Sequence, residues 1–339
     1  MRETSCKGRR GARVVALGGG TGLSTLLRGL KEHLAPGCPA GLKPCIADLA
    51  AIVTVTDDGG SSGRLRRDYR ILPPGDIRNC LVALSDDEAL LGRLFQYRFH
   101  IGRGLRGHSF GNLFLTALSH VSGDFAEAVR LSGQVLAIRG RIFPSTLDNV
   151  TLEATFKDGR RLQGETRITR SRKPIRRIAL APRQARPVPE ALEAIARADL
   201  ILLGPGSLYT SVLPNVLVPE IARAIARARG TRVYIANLMT QPGETTGYSL
   251  AGHVRAIREH TSPRFLDAVV VNRQPVSPEV ARRYRADGAE PVLPDTAPLE
   301  KLRLRVVCED LLEEHGVIRH DPLRLARVLV DKFLPAIRQ

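Results

Sequence analysis

The stretch VVALGGGTGLSTLLRGLKE, residues 14–32, decides the fold. A short apolar run leads into residues 18–22, where four of five residues are glycine, and an amphipathic segment follows. This pattern predicts a buried strand, a tight turn and a helix. Glycines at such a junction let a phosphate approach the backbone N–H groups at the start of the helix. The sequence therefore predicts a phosphate-binding turn at residues 18–22.

The glycine turn matches neither common nucleotide fingerprint. Counted from Gly18, the dinucleotide pattern G-x-G-x-x-G requires glycine where Leu23 stands, and the Walker pattern requires Gly-Lys where Leu23-Ser24 stands. A nicotinamide-dinucleotide site is therefore a weaker alternative. Close strand–helix packing would explain two of the glycines, so we favour ligand contact. The candidate residues are Gly19, Gly20, Thr21 and Gly22.

A second apolar run, LAAIVTVT (49–56), ends in a pair of aspartates. Two apolar strands separated by a helix predict a parallel sheet covered on both faces. A carboxylate at the end of such a strand can accept hydrogen bonds from ribose hydroxyls or hold Mg²⁺ against phosphates, whereas the structural alternative is a capped Asp-Gly turn. Residues after the pair are predicted to form a loop, with a helix from about 78 to 85. The candidates here are Asp57, Asp58, Ser61 and Ser62.

A third polar segment, LGPGSLYTSVLPN (203–215), follows another apolar strand and is predicted to be a loop. Two loops rich in glycine and hydroxyl groups on one sheet favour a ligand with two polar ends, such as a nucleotide joined to a second group. Two asparagines that begin predicted helices could read ligand amides or cap the helices, and one histidine could serve as an acid–base group or be structural. The candidates are Gly204, Gly206, Ser207, Tyr209, Thr210, Asn215, Asn79, Asn112 and His108.

The chain is expected to form a basic, disordered tail at 1–12 and a single α/β domain at 13–339. Apolar and polar residues alternate over 141–182 around an Asp158-Gly159 turn signal, which predicts a small antiparallel β insertion. After the insertion, predicted helices and strands alternate again. Near the end, Asp321 and Pro322 carry the signature of a helix start.

Composition excludes several function classes. The chain has 339 residues and a net charge of +17, but only seven of its 51 basic residues are lysine, it has no tryptophan, and aromatic residues make up 4%. The stacking residues that single-strand binders need are missing, so no nucleic-acid partner is expected. Five cysteines without a CxxC pair indicate reduced thiols and a cytoplasmic location. No apolar run approaches the roughly 20 residues that span a bilayer, so no membrane insertion is expected.

Catalytic and metal signatures are also missing from the sequence. His100, His108 and His120 do not have the spacing of zinc ligands, and there is no G-x-S-x-G nucleophile elbow. No metal site and no catalytic residue are predicted. The pattern favours binding over turnover.

The motifs together resemble the YvcK-type gluconeogenesis factors of the CofD-like superfamily. The resemblance runs from about residue 13 to 335 and rests on the segments VVALGGGTGLSTLLRGLK, IVTVTDDGGSSGRLR, PPGDIRNCLVALS, GHSFGNLFLTAL, LLGPGSLYTSVLPNVLVPEI, ANLMTQPGETTGYS and VIRHDP. It implies a modified Rossmann-like, doubly wound α/β fold in a cytoplasmic bacterial protein. It also implies binding of UDP-sugars, UDP-N-acetylglucosamine above all, and a role in cell shape and wall synthesis during gluconeogenic growth.

The resemblance further implies a sensor or regulator that acts through an unidentified protein partner. Its more distant relatives are 2-phospho-lactate transferases that use Mg²⁺, so an Mg²⁺-dependent transferase, with Asp57 or Asp58 on the metal, is the alternative function. Large α/β proteins often pair, and a homodimer is expected.

Carried onto this sequence, the resemblance assigns the glycine loop and the Asp57-Asp58 pair to the nucleotide. It places Asn79, Asn112 and residues 204–215 along the same cleft. It also points to Tyr284, ahead of AEPV, and to Arg319 in IRHD as residues tied to UDP-sugar binding. The planar guanidinium of an arginine suits a diphosphate, because it can donate two hydrogen bonds to phosphate oxygens. The tyrosine could stack on uracil or donate to a phosphate.

Overall fold

The computed structural model describes residues 11–35, 46–86 and 90–334. Within them the strands are β1 Ala12–Gly18, β2 Ile46–Val53, β3 Arg141–Pro144, β4 Thr151–Phe156, β5 Arg161–Gln163, β6 Ile175–Ala181, β7 Leu200–Leu203, β8 Thr231–Ile235, β9 Ala268–Asn272, β10 Arg305–Glu309, β11 Leu312–His315 and β12 Val317–His320. The helices are α1 Gly20–Lys31, α2 Gly60–Tyr69, α3 Gly75–Leu84, α4 Leu91–Gln96, α5 Phe110–Ser122, α6 Phe125–Val135, α7 Glu165–Ser171, α8 Pro189–Arg197, α9 Leu213–Val216, α10 Pro219–Arg227, α11 Leu250–His260, α12 Pro278–Ala286, α13 Ala297–Lys301 and α14 Pro322–Phe333.

Seven parallel strands form the main sheet in the order β10-β9-β8-β7-β1-β2-β3. Its central strands are continuous apolar runs and are buried along most of their length, as expected of a sheet covered by helices on both faces. Gly29 of α1 allows that helix to lie against the start of α14, since a Cβ there would meet the Pro322 carbonyl oxygen at 1.9 Å. The predicted doubly wound, mostly parallel α/β fold is confirmed.

The predicted antiparallel insertion is also present, with a different boundary. Strands β5, β4 and β6 form a three-stranded antiparallel sheet, and the predicted turn at Asp158-Gly159 joins β4 to β5. Residues 141–144, however, are β3 and form an edge of the main sheet beside β2. An arginine followed by three apolar residues suits an edge strand of either sheet, so the sequence pattern could not separate the two sheets.

Three local predictions were wrong at the level of secondary structure. Residues 60–69, predicted as loop, form α2, and α3 begins at Gly75 instead of residue 78. The predicted loop 203–215 contains a π-helical turn at Leu208–Val212, closed by a bond from the Val212 N–H to the Ser207 carbonyl at 3.0 Å, and then α9. These helices are short and lack the apolar periodicity of an amphipathic helix, so the sequence pattern did not predict them.

The chain ends follow the predictions only in part. The expected tail lies mostly outside the described residues, but Ala12 already belongs to β1. At the other end, Asp321 caps α14 by accepting hydrogen bonds from the N–H groups of Leu323 and Arg324, both at 3.0 Å, and Pro322 occupies the first turn as predicted. None of the described helices combines the length and apolarity needed to cross a membrane.

The strand order places a crevice at β1. After β1 the chain adds β2 and β3 on one side and later returns to add β7 on the other side. The backbone continues this arrangement past the strand ends, since the carbonyl of Gly18 accepts from Thr54 N–H at 3.0 Å and that of Leu17 accepts from Gly204 N–H at 2.9 Å. Ligands of open α/β sheets bind outside the carboxyl ends of the strands at such a reversal.

Candidate functional site

A cleft of about 430 Å³ opens at this reversal. We call it the β1–β7 cleft. Its walls come from the start of α1, the turn after β7, the segment after β8, the end of α12 and strand β12. The lining residues are Thr21, Gly22, Thr25, Pro205, Gly206, Ser207, Asn237, Leu238, Met239, Thr240, Gln241, Pro242, Tyr284, Asp287, Ala289, Ile318, Arg319 and His320. Residues separated by nearly 300 positions in sequence therefore face one space.

The start of α1 forms the first wall. Gly19 is the N-cap and has no side chain to bond the first turn, while Gly20 has a φ of +62°. A Cβ on Gly19 would lie 2.6 Å from Asp76 Oδ2, and one on Gly22 would lie 2.4 Å from the Pro205 carbonyl oxygen. Backbone geometry and packing thus require three of the glycines, one more than the packing explanation was expected to need. Thr21 and Gly22 also line the cleft.

The turn after β7 forms the facing wall. Gly206 and Ser207 line the cleft beside the start of α1. The Ser207 hydroxyl accepts a hydrogen bond from the Gln241 amide nitrogen, while the Gln241 Oε1 is buried and has no partner within the described residues. The segment after β8, to which Gln241 belongs, therefore presents one unused acceptor beside this turn.

Tyr284 and Arg319 close the outer side, as the sequence resemblance implies. The Tyr284 hydroxyl accepts a hydrogen bond from the Ile318 N–H at 3.0 Å, which fixes β12 against α12. Arg319, the next residue, lies opposite Glu313 in the β11–β12 ladder. Its side chain is exposed and makes no hydrogen bond or ion pair with the side chain of any described residue. A cationic fork held at the rim of a cleft with no partner of its own is available to an anion.

His320 is a cleft residue that sequence analysis missed. It is 6% exposed, and burial lowers the pKa of its imidazole to about 4, so the ring is neutral at physiological pH. Its Nε2 has no partner within the described residues. Buried polar atoms are nearly always bonded to protein, water or ligand. With the Gln241 Oε1, the cleft therefore holds two buried polar atoms that a ligand could satisfy.

A cluster of carboxylates lies behind α1 and was not predicted as a group. Asp76 accepts a hydrogen bond from the Gly20 N–H, and burial, reinforced by the charge of Asp57, raises the pKa of Asp76 to about 6. Burial also raises the pKa of Glu244 to about 7 and that of Glu165 well above its ordinary value. One amide at the start of α1 is therefore occupied by the protein's own carboxylate. Thr21 and Gly22, the next residues of the same turn, line the cleft.

Asp58 has a structural partner. Its Oδ1 accepts hydrogen bonds from the Thr166 N–H at 2.8 Å and from the Thr166 hydroxyl at 2.6 Å, which ties α7 to the end of β2. Asp57 accepts from the Gly59 N–H at 2.8 Å. In the described part of the chain, no three His, Cys, Asp or Glu side chains are grouped to hold a metal ion. Both carboxylates of the pair therefore have hydrogen-bond partners within the protein.

A separate buried network accounts for several other predicted residues. His108 Nδ1 lies 2.9 Å from the Ser61 hydroxyl, and Asn112 Nδ2 donates to the same hydroxyl at 3.1 Å. Arg78 donates to Asn112 Oδ1 at 3.2 Å and to Asn79 Oδ1 at 2.7 Å. Burial, followed by the charge of the nearby Arg64, lowers the pKa of His108. These side chains bond one another away from the β1–β7 cleft, although the buried Nε of Arg78 has no partner within the described residues.

Neither asparagine begins its helix. Asn79 lies inside α3, whose N-cap is Pro74, and Asn112 lies in the first turn of α5, whose N-cap is Ser109. Ser62 faces Gly75, where a Cβ would lie 2.6 Å from its hydroxyl and 3.3 Å from Asp57 Oδ2. The N-cap explanation is wrong for both asparagines.

The remaining predicted residues lie behind the second loop. The Tyr209 hydroxyl is 2.9 Å from that of Tyr248, and Thr210 is buried. Asn215 is fully buried and donates from Nδ2 to the carbonyls of Gly18 at 3.1 Å and Ser211 at 2.8 Å, and Gly204 has a φ of +81°. Their contacts shape the loop and join it to the end of β1.

Comparison with known proteins agrees with this architecture. The family model described as 2-phospho-L-lactate transferase CofD matches residues 14–312. The gluconeogenesis factor of Bacillus subtilis is 47% identical over 320 residues, which cover 94% of this chain and 97% of that protein. A protein of Nostoc sp. is 50% identical over 327 residues, covering 96% of this chain and 69% of that protein. The chain belongs to the CofD family.

A solved relative shares the complete fold. A crystal structure of a Bacillus halodurans protein superposes with a TM-score of 0.89 at 44% identity and covers 94% of this CofD-family chain and 99% of its own. The similarity to gluconeogenesis factors thus extends along nearly the whole length of this chain. Of the predicted site residues, the structure brings together six in the β1–β7 cleft: Thr21, Gly22, Gly206, Ser207, Tyr284 and Arg319.

Proposed function

We propose that this protein binds a UDP-sugar, UDP-N-acetylglucosamine foremost, in the β1–β7 cleft. The observation that carries the proposal is the meeting of the uncapped start of α1 with Arg319 across one cleft. Helix N-termini and arginine forks both favour phosphate oxygens. A pyrophosphate between them would receive the backbone N–H groups of Thr21 and Gly22 on one side and the guanidinium on the other.

The rest of the cleft supports a ligand with polar groups on either side of the phosphates. Tyr284 and Arg319 line the same cleft, and the two unpartnered atoms, Gln241 Oε1 and His320 Nε2, offer hydrogen bonds to a base or a sugar. The cleft volume falls in the range of roughly 300–1,000 Å³ usual for small-molecule sites. A nucleotide joined to a second polar group satisfies more of these features than inorganic phosphate does.

The chemistry of the lining supports a sensor. The titratable side chains lining the cleft are Tyr284, Asp287, Arg319 and His320. Burial keeps the imidazole of His320 neutral, because its pKa is lowered to about 4. A neutral imidazole, a lone carboxylate and an arginine suit recognition of a nucleotide sugar. The name of the Bacillus subtilis relative supports a role during gluconeogenic growth, and cell-wall homeostasis through a cytoplasmic protein partner is part of this proposal.

Calorimetry with a ligand panel tests the binding proposal. We expect saturable binding of UDP-N-acetylglucosamine at one site per chain, weaker binding of UDP, and weaker binding still of GDP and NAD⁺. Equal affinity for all four compounds would show that only the phosphates are recognised. Absence of binding to every UDP compound would refute the proposal.

The CofD family match favours one alternative, transfer of a group from a nucleotide diphosphate donor. Asp57 is the carboxylate left for such chemistry, since Asp58 is bonded to α7. Incubation of the protein with UDP-N-acetylglucosamine and Mg²⁺, followed by chromatography of the nucleotides, separates the two functions. A hydroxyl-bearing acceptor is included in the incubation. A sensor returns the ligand unchanged, whereas a transferase that moves the sugar 1-phosphate to the acceptor hydroxyl breaks the bond between the two phosphates and releases UMP.

A further inference from the structure

Positive charge is concentrated in the antiparallel insertion. Residues 151–186, which we call the basic module, contain eleven Lys and Arg against three Asp and Glu, a net charge of +8. The whole chain carries +17, so about a tenth of the residues hold close to half of the net charge. Ten of the eleven basic residues are exposed. Lys and Arg residues distributed evenly over the surface would not produce this clustering.

The basic side chains of the module are largely unpaired. Among the described residues, only Arg160 and Lys173 of this set form ion pairs, both with Asp158. The others face solvent with no acidic neighbour in bonding distance. Like charges at this density repel one another, and this repulsion destabilises the module when no partner is bound. An anionic partner would remove that cost.

The outer face of the three-stranded sheet has an ordered arrangement of these charges. Thr155 on β4 is paired with Arg161 on β5 and with Arg177 on β6, so the three side chains stand in one row on the same face. Adjacent strands are about 4.8 Å apart, which places the two arginines roughly 10 Å from each other. With Arg183 they line a groove of about 410 Å³. Glu153 is the acidic residue in the lining, and its carboxylate accepts a hydrogen bond from the Gln163 amide nitrogen, so the groove keeps a net positive charge.

The inner side of the module is fixed to the end of β2 and to the carboxylate cluster behind α1. Helix α7 donates two hydrogen bonds to Asp58 through Thr166, and Glu165 accepts one from the Thr56 hydroxyl at 3.0 Å. Thr169 donates to Glu244 at 3.3 Å. One face of the module thus contacts the end of β2 and the carboxylate cluster behind α1, while the opposite face is basic and open.

We propose that the basic module is a docking surface for an acidic segment of a partner protein. Arginine forks match carboxylates, and no large hydrophobic or aromatic side chain of the module is exposed. Single-stranded nucleic acids need aromatic stacking, and insertion into a lipid surface needs apolar side chains. The proposal rests on the proposed function only in treating this surface as the output side of a sensor.

Charge reversal with a matched control tests the surface. The variant R161E/R177E/R183E removes the row and the groove arginine, whereas R223E/R227E/R229E makes the same charge change at exposed positions on and after α10. The probe is a fluorescent poly-L-glutamate peptide of about 20 residues, followed by anisotropy at low ionic strength, where surface charges are least screened. We expect the module variant to bind at least about tenfold more weakly and the control to change less than about threefold.

Several results would overturn the proposal. Equal losses in the two variants would show that only net charge matters, and no binding by the wild type would remove the surface altogether. A larger effect of the module variant on an oligo-dT of about 20 nucleotides, or on phosphatidylglycerol-containing vesicles, would assign the surface to nucleic acid or lipid. If charge reversal unfolds the chain, R161A/R177A/R183A repeats the test. Calorimetry with UDP-N-acetylglucosamine, run in parallel on all proteins, reports failure of the ligand proposal independently of the peptide result.

Discussion

Replacing Arg319 by alanine tests the geometry of the β1–β7 cleft most directly. The side chain is exposed at the rim and makes no hydrogen bond or ion pair with described residues, so its removal breaks no such bond of the folded protein. Surface substitutions of this kind change the free energy of unfolding by less than about 0.5 kcal/mol. We therefore expect the melting temperature of Arg319→Ala to stay close to that of the wild type.

The loss in ligand affinity follows from the interaction removed. A hydrogen bond to a charged group contributes about 1.5–3 kcal/mol. Because about 1.4 kcal/mol corresponds to a factor of ten, the dissociation constant for UDP-N-acetylglucosamine should rise about 10- to 150-fold. Arg319→Lys retains the charge but loses the planar fork, and we expect an intermediate loss.

Isothermal titration calorimetry on the wild type and the two variants measures these changes. Arg285→Ala is the matched control, since this arginine is exposed on α12 near Tyr284 but does not line the cleft. We expect its affinity to remain within about twofold of the wild type, because exposed charges outside the cleft are screened. Unchanged affinity of a folded Arg319→Ala, or an equal loss in Arg285→Ala, would refute a direct contact between the guanidinium and the ligand.

Three further predictions concern Gly22 in the wall of the cleft and two positions behind it. Gly22→Ala should lower the free energy of unfolding by about 1–3 kcal/mol in urea titrations, because its Cβ would overlap the Pro205 carbonyl oxygen. Asn215→Ala should cost about 1–3 kcal/mol by leaving the buried Gly18 carbonyl without this donor, and affinity measured on the folded fraction should change little. For Asp76→Asn the sign of the pH dependence follows from the raised pKa of Asp76, about 6, because the folded state binds the proton more tightly than the unfolded state does. The stability of the wild type should therefore fall relative to that of the variant as the pH rises from about 4 to 6, by up to about 3 kcal/mol. Urea titrations at several pH values measure this difference.

The parallel sheet was predictable because its information is local. Apolar runs such as residues 14–17 and 49–56 are continuous, and each is bounded by glycine or aspartate, so strand identity and direction follow from short windows. The same reasoning failed for α2 and for the π-helical turn after β7. Their residues are polar or glycine-rich, and only packing against the rest of the chain makes them helical.

The sequence predicted which loops form the site but not the directions in which their side chains point. The sequence indicated which loops meet at the carboxyl edge of the sheet, and the cleft was found there. Whether a polar residue on such a loop faces the cleft or the interior depends on contacts with distant segments. Asn215 turns inward to Gly18, and Asp58 turns to Thr166 across more than 100 residues. Gln241 and His320 carried no local signal that would set them apart from ordinary loop residues.

The two halves of the chain contribute different parts of the cleft, and this division bears on specificity. The start of α1 comes from the first 30 residues and presents backbone N–H groups, which recognise phosphate without regard to what is attached to it. Every other wall comes from residues after 204, and it is these that present side chains with unsatisfied polar atoms. A phosphate alone would use the first part and leave Gln241 Oε1 and His320 Nε2 unpaired, whereas a nucleotide sugar can satisfy both. Discrimination among nucleotides therefore has to come from the segments after β8, and substitutions at Gln241 or His320 should alter the order of affinities more than the affinity for pyrophosphate itself.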